Sequence, residues 1–161
     1  MRKILIYCWI ILLFLLGVKN SFAEEGTGME LANYQQPGIL VEQLSGEAKK
    51  LALTEKMIEA AVIFKLKQAE LEPRALNKDA DSYGDAYIYV NVSLVGVAFT
   101  VTLALNRTVL YKTGDTYYVL NSNPTWIRSI TGTHANNRKF VLQSVSKILD
   151  VFLDEYFEAN R

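Results

Sequence analysis

The 161-residue chain has one cysteine, Cys8, and one histidine, His134. Cys8 lies inside the apolar run Ile4 to Val18, so everything after that run is free of thiols. Disulfides, thiolate metal sites and cysteine nucleophiles are therefore excluded from the rest of the chain. A lipid anchor, which would need a cysteine just after the apolar run, is not expected either. Charge of one sign is lacking too, with 17 Lys and Arg against 17 Asp and Glu. Removal of residues 1–23 takes Arg2, Lys3 and Lys19 but no acid, leaving 14 basic and 17 acidic residues and a net charge of −3. Such a balance offers no basic patch for nucleic acid or an anionic membrane. Internal repeats and low-complexity runs are also missing, which leaves one compact domain as the reading of residues 39–161.

What is present begins with an export signal. Arg2 and Lys3 precede the apolar run, and small residues, Ser21 and Ala23, occupy the two positions a signal peptidase inspects. The run falls short of the roughly 20 residues that a spanning helix needs. Residues 1–23 read as a cleavable signal peptide and the protein as periplasmic or secreted, with no stable membrane insertion after cleavage. Residues 24–38 are polar and rich in turn formers and read as a flexible arm.

The rhythm of apolar residues then changes twice. Ser45 is placed to cap a helical turn over residues 46–51, and Thr54 to cap a longer helix in which Met57, Ile58, Ala61, Val62, Leu66 and Ala69 recur at helical spacing. Pro73 lies at or beyond its end, and residues 71–77 suit a short edge strand. After the turn-forming stretch 77–85, Ile88, Val90, Val92 and Leu94 alternate with Tyr87, Tyr89, Asn91 and Ser93. Beyond Gly96, Val97, Phe99, Val101, Leu103 and Leu105 alternate with small or hydroxylated residues. This period of two predicts antiparallel strands with one oily face. A further strand is expected from Tyr117 towards Trp126, with Pro124 marking an edge or bulge, and residues 129–137 read as a loop. Asn136 or Asn137 would cap a last helix carrying Phe140, Val141, Val145, Ile148, Leu149, Phe152 and Tyr156 at helical spacing. An oily sheet face must be covered. The expected fold is thus α+β, a two-layer sandwich of an antiparallel three- to four-stranded meander covered on one face by two helices.

Chemistry is sparse. The segment Asp79 to Asp85 opens like a calcium loop, yet its fifth position is Tyr83 and its twelfth Val90, so no cation sphere closes and no metal or cofactor is expected. His134 has the right intrinsic basicity for a hydrolase, but no nucleophile motif accompanies it, and a hydrogen-bonded loop histidine is the plainer reading. The most suggestive group is aromatic: Tyr87, Tyr89, Tyr117, Tyr118 and Trp126. Alternation puts Tyr87 and Tyr89 on the face opposite the helices, where aromatic side chains favour a partner surface. Cross-strand tyrosines also simply stabilise a sheet.

The runs Tyr87 to Val92, Thr125-Trp126 with Thr131 to His134, and Phe152 to Asn160 resemble a group of small uncharacterised exported bacterial proteins. In its layout of helix, meander and long closing helix the chain is also similar to the amino-terminal domain of the Tol-system periplasmic protein and related envelope lipoprotein domains. That resemblance implies a docking module rather than an enzyme. The expected function is a non-catalytic exported module that binds another envelope protein. The alternatives are a carrier for a small apolar ligand, held between helix and sheet, and a hydrolase using His134.

Overall fold

The computed structural model describes residues 37–75 and 86–160. The signal segment 1–23, nearly all of the arm 24–38 and the acidic stretch 79–85 lie outside the described residues. In chain order the elements are β1 (Gly38–Val41), α1 (Gly46–Lys50), α2 (Glu55–Gln68), β2 (Arg74–Ala75), β3 (Tyr87–Val95), β4 (Ala98–Thr113), β5 (Thr116–Thr133) and α3 (Arg138–Ala159). The fold is α+β. One sheet runs in the order β2-β1-β3-β4-β5.

The meander β3–β4–β5 is antiparallel, as the period of two requires, and turns at Gly96 and Gly114, both with positive φ that glycine adopts without strain. Two short strands extend it. Ile39, Leu40 and Val41 are not merely the start of order but form β1, which pairs in parallel with β3 on one side and β2 on the other. The parallel direction follows from the chain crossing over through α1 and α2 before it returns to the sheet.

Both helices before β2 end by the same device. Leu53 N–H donates to Ala48 O at 3.0 Å and Leu71 N–H to Leu66 O at 2.9 Å, while Ala52 and Glu70 take the left-handed conformation that such a stop requires. The side chains of Ala48, Leu53, Leu66 and Leu71 are all buried, so each stop also seals the core. Thr54 accepts from Met57 N–H at 3.3 Å, and Asn137 from Lys139 N–H at 3.0 Å, as N-caps.

The core lies between the sheet and the helices. Ile88, Val90, Val92 and Leu94 of β3, and Phe99, Val101, Leu103 and Leu105 of β4, are buried against Ile58, Val62 and Leu66 of α2 and against Val145, Ile148, Leu149 and Phe152 of α3. Each such side chain gains roughly 1.5–3 kcal/mol on leaving water, before chain entropy is set against it. Two residues expected on the buried stripes are not there. Met57 and Phe140 are exposed, because each sits about 100° round its helix from its buried neighbour, Ile58 or Val141.

The sheet runs further than expected at its far edge. Residues 129–133, read from composition as loop, continue β5 in register with β4. Their polarity has a structural cause: Ser129, Thr131 and Thr133 face the side that no described helix covers, where hydroxyls are solvated. Gly132 is required on the other side, since a Cβ there would lie 3.0 Å from Cζ of Phe99, whose ring packs over it.

Candidate functional site

Register places Tyr87, Tyr89, Asn91 and Ser93 of β3 on one face with Thr100, Thr102, Ala104 and Asn106 of β4 and Ile127, Ser129 and Thr131 of β5. Ile88 and Val90 are fully buried on the opposite face. Tyr87 and Tyr89 therefore stand on the uncovered face, half-buried among their neighbours. Their hydroxyls are tied down. Asn106 Nδ2 donates to Tyr87 Oη at 3.1 Å, and Asn91 Nδ2 reaches Tyr89 Oη at 3.5 Å while donating to Glu42 Oε2 at 2.8 Å.

Tyr89, Ala104 and Ile127 form a row straight across three strands. Ala104 is buried although no described helix covers it, sheltered by the larger pair, and Ile127 is half exposed. Ile127 was missed from sequence, although the alternation that puts Trp126 inside puts its neighbour outside. Beside this row, hydroxyl pairs span β4 and β5: Thr100 with Thr131 at 3.0 Å and Thr102 with Ser129 at 2.8 Å. These hydroxyls satisfy one another, and among the described residues none has an imidazole or carboxylate as hydrogen-bond partner. Among the described residues Asn106 Oδ1, which is buried, has no hydrogen-bond partner and marks an acceptor on this face.

The other aromatic candidates separate. Trp126 pairs with Leu105 and so turns to the helix side, where it is only 4% exposed. Its ring meets Phe152 edge-on at 5.3 Å, and its indole N–H donates to Glu155 Oε2 at 2.6 Å. Trp126 is thus a core residue and not part of an exposed aromatic group; the Pro124 irregularity does not alter that, because the register resumes at Trp126. Arg128 lies over the same ring at 5.4 Å and pairs with Glu155 at 3.2 Å, beside a solvent-facing recess of about 400 Å³ also lined by Pro124 and Thr125. Tyr117 and Tyr118 are exposed near the β4–β5 turn. They pair with Lys112 and Tyr111, about 20 Å along β4 from Asn106, and consecutive strand residues point to opposite sides. The structure brings Tyr87 and Tyr89 together and leaves Tyr117 and Tyr118 on a separate two-stranded ribbon.

His134 is buried at the end of β5. Its Nδ1 accepts from Asn136 N–H at 3.0 Å, which leaves Nε2–H to donate to Gly96 O at 2.8 Å. Both ring nitrogens are thus spent on the backbone. The imidazole ties the β3–β4 turn to the bend entering α3, where Ala135 and Asn136 have positive φ. Among the described residues no group of three His, Cys, Asp or Glu gathers as metal ligands, and no helix is long and apolar enough to cross a membrane. No protein-family model, curated protein or solved structure matches the chain.

Proposed function

We propose that the chain is a non-catalytic exported module that docks another envelope protein on the uncovered face of its sheet. The observation that carries this reading is the row Tyr89, Ala104 and Ile127 beside Tyr87, an apolar and aromatic strip on a face that no helix covers among the described residues. Tyrosines whose hydroxyls already contact Asn91 and Asn106 lose less freedom on binding than free side chains would. Aromatic residues on such a platform supply contact area, and the flanking Thr and Ser hydroxyls supply a polar rim. The basic Arg2 and Lys3 ahead of the apolar run, read as a signal, support the exported address, and the resemblance in element order drawn from the sequence supports the class of partner.

The test is photo-crosslinking in living cells. A photoreactive residue in place of Ile127 gives a discrete adduct with one envelope protein, the same residue in place of Lys56 does not, and the adduct disappears when Tyr87 and Tyr89 are both serine. Labelling that is equal at both positions, or that survives the double substitution, contradicts the reading.

A further inference from the structure

The outer edge of the sheet is β5, and the phase of its ladder with β4 fixes which backbone groups are spare. His134 N–H donates to Val97 O at 2.9 Å, so these opposed residues form a hydrogen-bonded pair. Bonded pairs alternate with pairs whose backbone groups face apart. Phe99–Gly132, Val101–Ile130 and Leu103–Arg128 are therefore bonded, and the N–H and C=O groups of Ile127, Ser129, Thr131 and Thr133 point away from the sheet. The two-residue turn at Gly96 gives the same phase independently, because it bonds Ala98 to Val95 and turns it away from Thr133. One outward carbonyl is covered: Arg128 Nη1 donates to Ile127 O at 3.1 Å, with the guanidinium held by Glu155. No described strand pairs with Ser129, Thr131 and Thr133 on that side.

Above this edge runs one flank of α3. Asp150 bridges to Lys65 of α2 on one flank, and Glu155 reaches Trp126 and Arg128 of β5 on the other. Helical spacing puts Phe140, Ser144 and Val151 on the Glu155 side. Phe140 is 46% and Val151 42% exposed. An open strand edge with apolar side chains overhanging it is a two-layer sandwich that stops without being closed.

We infer that β5 pairs with β5 of a second copy of this chain, antiparallel and centred on Thr131, so that one sheet runs through a two-fold axis. Two features select a second copy. The segment 129–133 is self-complementary on reversal: Thr131 meets Thr131 and Ser129 meets Thr133, continuing the hydroxyl pairs already made with Thr100 and Thr102 and opposing no like charges. In addition, the same reversal lays the overhanging flank of one α3, with Phe140 and Val151, beside the same flank of the other, so that both exposed apolar side chains are covered. The Tyr89 row on the uncovered face stays free in this assembly.

Sedimentation equilibrium of the Cys8→Ser chain is expected to show a concentration-dependent dimer. Thr131→Pro removes an N–H that only the second copy would use, and two lost bonds per dimer raise the dissociation constant on the order of tenfold to a hundredfold with an unchanged circular dichroism spectrum. Crosslinking reads the register without depending on that variant. A short thiol-bridging reagent joins two copies of Thr131→Cys, whose opposed Cα atoms are about 5.5 Å apart. It does not join Ser129→Cys, whose mates are roughly 14 Å apart along the strand. A monomer throughout the range up to about 100 μM overturns the inference, and so does equal crosslinking at the two positions.

Discussion

Gly132→Ala tests the packing of the sheet at its most demanding point. The added Cβ would stand 3.0 Å from Cζ and 3.2 Å from Cε1 of Phe99, the residue directly opposite on β4. Phe99 cannot swing into water without emptying its place in the core, where it is buried with Leu94 and Val101. Overpacking of this kind costs about 1–3 kcal/mol. Against it stands about 0.4–1 kcal/mol gained when alanine narrows the unfolded ensemble. The net expectation is a loss of about 0.5–2 kcal/mol, read by urea unfolding as a lower midpoint at constant slope. The strain is specific to one ring, so Phe99→Leu in the same chain relieves it. A double-mutant cycle is then expected to give a coupling of at least about 0.5 kcal/mol, with the two changes together costing less than their sum. Gly132→Ala as stable as the parent, or a cycle with no coupling, would refute the account of Phe99 packed over Gly132.

Other expectations concern the joints of the fold. His134→Ala leaves Gly96 O and Asn136 N–H without their partner and is expected to cost about 2–4 kcal/mol in chemical denaturation. Ala52→Gly and Glu70→Gly place glycine where the chain is left-handed, and each should stabilise by about 0.5–1 kcal/mol in the same assay. The Leu44 N–H that donates to Glu55, followed by the Glu55 backbone N–H, holds the Glu55 carboxyl below its ordinary value. A lowered folded-state value means that its contribution is complete above the ordinary carboxylate range and lost as pH falls from that range through the lowered folded-state value. The Glu55→Gln chain should accordingly show a shallower decline in stability on acidification, followed by thermal unfolding from pH 6 down to about pH 3.

Much of this architecture could be read before the structure because its cause is local. The shift from helical spacing to alternation fixed which faces of β3 and β4 turn inward, and Thr54 and Asn137 announced their helices through a single side-chain oxygen each. What could not be read is non-local. Nothing in Ile39 to Val41 says that they lie between β2 and β3, since parallel pairing leaves no turn signature. Residues 129–133 resemble a loop because half of them face water, and Gly132 looks like a turn former although it serves a close approach by Phe99. Trp126 resembles the tyrosines in aromatic character alone; its pairing with Leu105, a non-local fact, sets the side it faces. His134 illustrates the same limit: its two partners, Gly96 and Asn136, lie 38 and 2 residues away, and only the second is a neighbour in sequence.

The organisation of the sheet is tested most directly by thiol accessibility along β3. In the Cys8→Ser chain, single cysteines replace each residue from 87 to 94, and the rate of alkylation of the folded protein is measured at every position. Cysteine should react readily at 87, 89, 91 and 93 and be protected at 88, 90, 92 and 94. Rates that do not alternate, or alternate in the opposite phase, would contradict a sheet covered by helices on one side alone.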